Sequence, residues 1–214
     1  MHFYLSSYLI GNQTDYLGKQ SSKFTKIAYI SNAMNFVGVD PERLKKTDID
    51  IIKSLTELGF EVEELDLKNY FNQDQKLRSE IQKFNGVFVR GGNVFALRQA
   101  MKLSGMDKIL IEFEAIKKDF LYMGFSAGIC VLAPSLKGIE IVDPLDISLH
   151  LPEAGLIWEG LGILDYAIAP HYRSVHKESD LIEKLVEYYI ENKILFKALK
   201  DGEVLILEQV KTKR

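Results

Sequence analysis

A serine lies between two glycines at positions 124–128, in the order Gly-Phe-Ser-Ala-Gly, with apolar residues before and after it. The pattern predicts a strand, a tight turn and a helix start, because glycine lacks the Cβ atom that would collide where strand and helix meet. Such a turn exposes the Ser126 hydroxyl as a nucleophile and leaves the Ala127 N–H at a helix N-terminus, where it can stabilise an oxyanion. A simple turn with Ser126 as helix N-cap explains the same residues.

A glycine pair, Gly91-Gly92, follows the short apolar run 86–89, and a helical pattern begins just after it. At the carboxyl end of a parallel strand, such glycines let backbone N–H groups point into the cleft where open α/β sheets bind ligands. A phosphate-binding loop is an alternative. The sequence, however, has neither Gly-x-Gly-x-x-Gly nor a Gly-Lys-Ser/Thr ending at this position.

A histidine, His171, comes directly after a predicted strand at 164–169 and after Pro170. We expect Pro170 to hold it in an extended conformation, facing the same cleft as Ser126. Its ordinary pKa near 6.5 suits a general base at neutral pH. A lone histidine is also common as a purely structural residue. His176 follows five residues later in a polar stretch.

Strand and helix patterns alternate along the chain with short connections, which predicts a doubly wound, mostly parallel sheet in one domain spanning residues 1–214. Predicted strands are 3–9, 26–30, 60–65, 86–89, 120–123, 164–169 and 204–207, and predicted helices are 41–58, 66–84, 95–101, 106–118 and 179–192. Residues 134–162 are rich in proline and glycine. We expect them to form an irregular segment over the carboxyl edge of the sheet.

The composition is that of an ordinary globular protein, with 214 residues, 47% of them hydrophobic, and a formal net charge of -3. No global field therefore attracts nucleic acid or an anionic membrane, and we expect a small substrate. One cysteine, Cys130, cannot form an internal disulfide, and no secretory signal or membrane-length apolar run is present, so a cytoplasmic location is expected. No His, Cys or carboxylate cluster has ligand spacing, so we expect neither a metal nor another cofactor.

Three motifs, Gly91-Gly92-Asn93, Gly124–Gly128 and Pro170-His171-Tyr172, occur in the order and approximate spacing of the dipeptidase E family. The chain therefore resembles the aspartyl dipeptidases and cyanophycinases, serine peptidases of the S51 type. The resemblance implies a three-layer α/β/α sandwich like that of class I glutamine amidotransferases. It also implies Ser126 as nucleophile, His171 as base, and the N–H groups of Gly91, Gly92 and Ala127 as oxyanion hole, while Cys130 is a core residue.

Two departures from the family pattern concern substrate contacts. Arg90 stands at the first glycine of a Gly-Gly-Gly-Asn-Thr loop and Val94 at its threonine. The family's aspartyl dipeptidases hold the substrate aspartate with an arginine after the histidine, and residues 175–180 contain none. Specificity for Asp-X dipeptides is therefore not expected. Arg173 or Lys177 could replace this arginine in part, although the ammonium of a lysine cannot bind a carboxylate in the bidentate way that a guanidinium does.

The carboxylate that orients His171 has several candidates. By resemblance, Asp201 stands where the family has a glutamate in a turn before a late strand, although Asp-Gly also favours a hairpin turn by itself. The rivals lie in the irregular segment: Glu140, Asp143 and Asp146. Asp201 is our expected orienter, and Asn93, Asp143 and Arg173 are expected substrate-binding residues.

The predicted function is hydrolysis of small peptides by a monomer or homodimer. An esterase or amidase acting on small acyl compounds could use the same residues. A third hypothesis is a noncatalytic binding protein on the same scaffold.

Overall fold

The computed structural model describes residues 1–34, 41–145, 151 and 155–208. A six-stranded sheet has the order β3-β2-β4-β5-β1-β8, and a second sheet pairs β6 with β7. The strands are β1 (His2–Ser6), β2 (Lys26–Ile30), β3 (Glu61–Glu64), β4 (Gly86–Val89), β5 (Leu121–Phe125), β6 (Ala167–Ala169), β7 (Phe196–Ala198) and β8 (Val204–Leu207). All pairs in the main sheet are parallel except β1 with β8, so the carboxyl ends of five strands lie along one edge.

Helices cover both faces of the main sheet. They are α1 (Thr14–Ser21), α2 (Pro41–Glu57), α3 (Asp74–Ile81), α4 (Val94–Ser104), α5 (Met106–Ala115), α6 (Ala127–Cys130) and α7 (Ser179–Glu191), with short 3-10 turns at Asn32–Met34, Leu67–Tyr70 and Ile139–Ile141. Alternate side chains of the strands point to opposite faces, so β4 sends Val87 and Val89 into one core and Phe88 into the other. The three-layer α/β sandwich predicted from the sequence is therefore confirmed.

The two cores differ in size because the helices are distributed unequally. Leu17 of α1 and Leu55 of α2 belong to the smaller core, with Tyr29 and Phe125 from the sheet. The larger core includes Leu97 of α4 and most buried residues of α5, α6 and α7. Strands β4 and β5, which precede Gly91 and Ser126, are buried throughout. The centre of the sheet is thus the rigid support for the candidate site.

One predicted helix is divided in the structure, and one strand was not predicted. The helix expected over 66–84 is a 3-10 turn and α3 separated by Asn72, whose φ is +57° and whose N–H donates to the Leu103 carbonyl. The short strand β7 was missed because its first residues follow helix α7 after only a brief turn and the rest was assigned to the turn before β8. Predictions for Phe36 and Asp40 lie outside the described residues.

The irregular segment after α6 folds back on itself and on the residue that caps the end of α6. The Leu161 N–H donates to the Val131 carbonyl, and the Leu136 N–H donates to the Trp158 carbonyl. Arg98 of α4 secures the same segment, because its Nε donates to the Glu159 carbonyl at 2.8 Å. Within the described part of the chain, no helix combines the length and apolar character that crossing a membrane requires.

Candidate active site

Ser126 occupies a strained turn between β5 and α6, with φ +50° and ψ -120°. Residues other than glycine rarely adopt this backbone conformation, which costs on the order of 1–3 kcal/mol of strain. The flanking glycines permit it, because a Cβ atom at Gly124 would lie 2.9 Å, and one at Gly128 2.2 Å, from the Val89 carbonyl oxygen. The turn can therefore be this tight only with glycine on both sides of the serine.

The glycine pair after β4 lies against this turn. A Cβ atom at Gly91 would be 2.8 Å from the Cβ of Ser126, and one at Gly92, whose φ is +147°, would be 2.4 Å from the Ala33 carbonyl oxygen. Among the described residues, the N–H groups of Gly91, Gly92 and Ala127 have no hydrogen-bond acceptor. Backbone donors are thus available beside the serine hydroxyl.

His171 follows β6 in a left-handed conformation with φ +59°, so the expectation of an extended backbone was wrong. The turn is shaped by two long-range hydrogen bonds instead of by Pro170 alone. The His171 N–H donates to Ser7 Oγ at 2.8 Å, and the Tyr172 N–H donates to the Leu199 carbonyl at 3.0 Å. The His171 side chain is only 2% exposed, so the surrounding residues hold the imidazole in one orientation.

Asp201 contacts the imidazole directly, with Oδ1 2.6 Å from His171 Nδ1. Two serines hold Asp201 in place: the Ser7 hydroxyl donates to carboxylate Oδ1 at 3.0 Å, and the backbone N–H of Asp201 donates to Ser174 Oγ at 2.8 Å. An aspartate therefore reaches the histidine although it is one methylene shorter than glutamate. With Nδ1 facing Asp201, Nε2 is the ring atom left to act on a substrate or nucleophile.

Ser126 and His171 line one cavity that is partly open to solvent, together with Ala127, Cys130 and Asp143. No hydrogen bond joins Ser126 to His171 in the described part of the chain. Catalytic hydrogen bonds are often long before substrate binds, so this arrangement brings the two groups together without closing the contact. The remaining wall residues are mostly aliphatic.

Burial changes the protonation of three groups at this cavity. Desolvation lowers the pKa of His171 below its usual 6.5, although the Asp201 hydrogen bond acts in the opposite direction. Desolvation raises the pKa of Asp143 to about 7, and it raises the pKa of the Cys130 thiol well above its ordinary value. At neutral pH the imidazole is neutral and can accept a proton, while the thiol is no nucleophile.

The other predicted site residues have varied placements. Asn93 is buried, its Oδ1 accepts from the Phe95 and Ala96 N–H groups as the cap of α4, and its Nδ2 donates to the Pro144 carbonyl. Its polar atoms are thus occupied, so the geometry does not favour substrate binding by Asn93. Arg173 is 64% exposed and pairs with Glu183 at 3.9 Å, outside the cavity wall.

The rival carboxylates do not contact His171 either. Asp143 Oδ2 accepts from the Val94 N–H at 2.6 Å, and Glu140 accepts from the Gly138 N–H at 2.6 Å. Asp146 lies outside the described residues. Asp201 is the carboxylate that the described residues place on the imidazole.

A second histidine, His176, stacks on His171 with ring centroids 3.8 Å apart and planes inclined by 10°. Glu178 lies beside both, and one ligand atom from each of the three residues falls within 4.8 Å of the others. The fold thus assembles a His-His-Glu group that sequence spacing did not reveal. The stacked rings have nearly parallel planes, so their in-plane lone pairs do not converge as a metal site requires.

Three residues of this site were not predicted from the sequence. Ser7 supports both His171 and Asp201, Tyr8 packs edge-on against His171 at 5.7 Å, and Glu178 lines the cavity. A polar Ser6-Ser7 pair at the end of an apolar strand was the available signal for Ser7. No local pattern marks Glu178, because its role arises from the approach of α7 to the cleft.

The model of peptidase family S51 matches residues 13–214. The chain belongs to peptidase family S51. The S51 chain is 31% identical over 137 residues to an uncharacterized peptidase of Listeria monocytogenes, Lmo0363, and 32% identical over 135 residues to Peptidase E of Streptomyces coelicolor.

These alignments cover 64% and 61% of the S51 chain, and 62% and 51% of the respective relatives, so the match spans somewhat more than half of their length. A crystal structure described as that of a candidate peptidase E protein from Listeria monocytogenes EGD-e superposes with a TM-score of 0.73 and 22% identity. That superposition covers 98% of both chains. It shows that the S51 chain shares its fold with this structure along almost its whole length.

Proposed function

We propose that this protein is a serine peptidase that hydrolyses small peptides through Ser126, His171 and Asp201. The observation that carries the proposal is a strained serine beside unpaired backbone donors, in one cavity with a buried histidine bound by a carboxylate. Acyl transfer requires a nucleophile, a general base and donors that stabilise an oxyanion, and these groups can supply all three.

In the proposed mechanism, Ser126 Oγ attacks the peptide carbonyl while His171 Nε2 accepts the hydroxyl proton. The N–H groups of Gly91, Gly92 and Ala127 stabilise the oxyanion of the tetrahedral intermediate. His171 then gives its proton to the leaving amine, and the C–N bond breaks to leave an acyl-enzyme. Water, activated by the same histidine, releases the acid and restores Ser126.

Asp201 acts on the imidazole and not on the substrate. Its contact with Nδ1 keeps that nitrogen protonated, so that the lone pair of Nε2 faces the cavity. It also stabilises the imidazolium that forms during attack. The Ser7 hydroxyl holds the carboxylate, and Ser174 Oγ holds the backbone N–H of Asp201, which limits the number of orientations available to the pair.

A fluorophosphonate probe tests this proposal directly. We expect the wild-type protein to form one covalent adduct on Ser126, located by mass spectrometry of proteolytic fragments, and Ser126→Ala to form none. A panel of dipeptides and short-chain esters then identifies the bond that is cleaved. A folded wild-type protein without an adduct would support a noncatalytic binding protein, and cleavage restricted to esters would support an esterase.

A further inference from the structure

Two carboxylates line the cavity that holds Ser126 and His171. They belong to Asp143 and Glu178, and the wall includes neither a lysine nor an arginine among the described residues. Desolvation is the main cause that raises the pKa of Asp143, and the negative charge of Glu178 adds to it, because the two groups repel each other when both are ionised. A cation bound between them would relieve this repulsion.

Glu178 is placed close to the reacting groups. It lies directly before α7, its side chain is 28% exposed, and its carboxylate oxygen comes within 4.8 Å of a ring nitrogen of His171. Glu178 forms an ion pair with Lys177, whose Nζ lies 3.7 Å from Oε1. The Lys177 side chain is 83% exposed. Solvated pairs of this kind are weak, so a substrate cation can displace it.

The rest of the wall is aliphatic. Val142 and Ile139 form it on the side of the irregular segment, and Ile182 and Leu185 form it on the side of α7. An alkyl chain can pack against such a surface while a charged group at its tip reaches a carboxylate. The wall therefore fits a side chain that is apolar along its stem and positive at its end.

We propose that Glu178 selects peptides whose residue on the acyl side of the cleaved bond has a basic side chain, and rejects acidic ones. This inference rests on the proposed function. Glu178 is here a specificity-determining residue: its carboxylate binds the substrate ammonium or guanidinium, and the aliphatic wall covers the methylene groups. An acidic side chain in the same place would put a second carboxylate beside that of Glu178, with no cation among the described residues of the cavity wall to pair with it.

Four dipeptides that differ only in the first residue test the preference. The residues are Lys, its uncharged analogue norleucine, Glu and Gln, each followed by alanine. For the wild type we expect kcat/KM to be at least tenfold higher for Lys than for norleucine, and at least tenfold higher for Gln than for Glu. Since all four peptides carry the same α-amino group, the ratios report the side chain alone.

Two variants complete the test, one at Glu178, directly before α7, and one at Glu187 within α7. Glu178→Gln should lower the Lys-to-norleucine ratio at least fivefold, because the lost carboxylate binds only the charged side chain. Glu187→Gln removes an exposed carboxylate of α7, outside the cavity wall, and should leave this ratio unchanged. Circular dichroism confirms that each variant is folded.

Several outcomes would overturn the inference. Wild-type ratios near one would mean that the cavity does not sense side-chain charge, and a preference for Glu would show that Lys177 binds the substrate instead. An equal loss for Lys and norleucine in Glu178→Gln would mean that Glu178 binds the α-amino group or acts through His171. A probe adduct on Ser126 without cleavage of any of these peptides also counts against it, whereas absence of the adduct removes the proposed function itself.

Discussion

Gly91 and Ser126 approach so closely that a Cβ atom at Gly91 would lie 2.8 Å from the Cβ of Ser126. The same atom would also lie 2.8 Å from the ring of Phe125. Two chain segments 35 positions apart thus meet without room for a methyl group. This contact brings the N–H groups of the glycine loop to the serine, and it makes the proposed oxyanion hole sensitive to a single carbon atom.

Gly91→Ala should therefore lower kcat/KM by about 10²-fold or more, because the loop or the serine must move to accept the methyl group. We expect a loss of stability of about 1–3 kcal/mol in urea denaturation. Gly18→Ala is the matched control. Its Cβ would meet only Leu58 at an ordinary 3.7 Å, and α1 should tolerate it with no loss of stability or activity. Full activity in Gly91→Ala would exclude the loop from the site.

Substitutions at Ser126 should separate strain from catalysis. Ser126→Ala keeps the Cβ atom at φ +50°, so it should lose about 10³-fold or more in kcat and leave stability nearly unchanged. Ser126→Gly should be equally inactive but more stable, by about 1 kcal/mol, because glycine accepts this conformation. Thermal denaturation of the purified variants measures the difference. Activity of Ser126→Ala within tenfold of wild type would show that the turn is only structural.

Asp201→Asn should lower kcat by roughly 10²–10⁴-fold with little change in KM, because an amide no longer fixes the tautomer of His171 or stabilises the imidazolium. Steady-state kinetics with any cleaved peptide measures both constants. Asp143→Asn is the comparison, since Asp143 lines the cavity but does not contact the imidazole. A nearly silent Asp201→Asn beside an inactive Asp143→Asn would move the third catalytic residue to the irregular segment.

The pH dependence of kcat/KM should have an acid limb with an apparent pKa below 6.5, because desolvation lowers the pKa of His171 and only the neutral ring accepts a proton. Activity is therefore kept through neutral pH and lost as the pH falls through the folded-state pKa. In Asp201→Asn the residual activity should have its limb at still lower pH, since the lost hydrogen bond raised this pKa. A limb above 6.5 would contradict the assignment of His171 as the buried base.

Asp143 should make the wild type less stable as the pH rises. Its pKa is about 7 in the folded protein and 3.8 for an aspartate in water, so the folded state binds an extra proton between these values. Stability relative to Asp143→Asn should fall between pH 4 and pH 7, by about 3 kcal/mol. Urea denaturation at pH 5 and pH 8 measures the difference. An unchanged difference at the two pH values would mean that Asp143 is ionised throughout.

Short segments of the sequence determined much of this protein. Glycines on either side of Ser126, the apolar runs of β2 and β4, and the start of α7 at Ser179 all have signals within a few residues, because backbone conformation and side-chain periodicity are local. The α/β order followed from the same signals. The resemblance to family S51, confirmed by a match over residues 13–214, pointed to Asp201 among several possible carboxylates.

Tertiary structure alone decided the contacts that complete the site. His171 takes a left-handed backbone because Ser7, 164 positions earlier, accepts its N–H, and no local pattern encodes that bond. Asp201 meets the imidazole while Asp143 accepts from Val94, although both are acidic residues in turns. Glu178 enters the cavity because α7 packs there. Contacts of this kind depend on how separate elements pack, so they become fixed only when the whole chain folds.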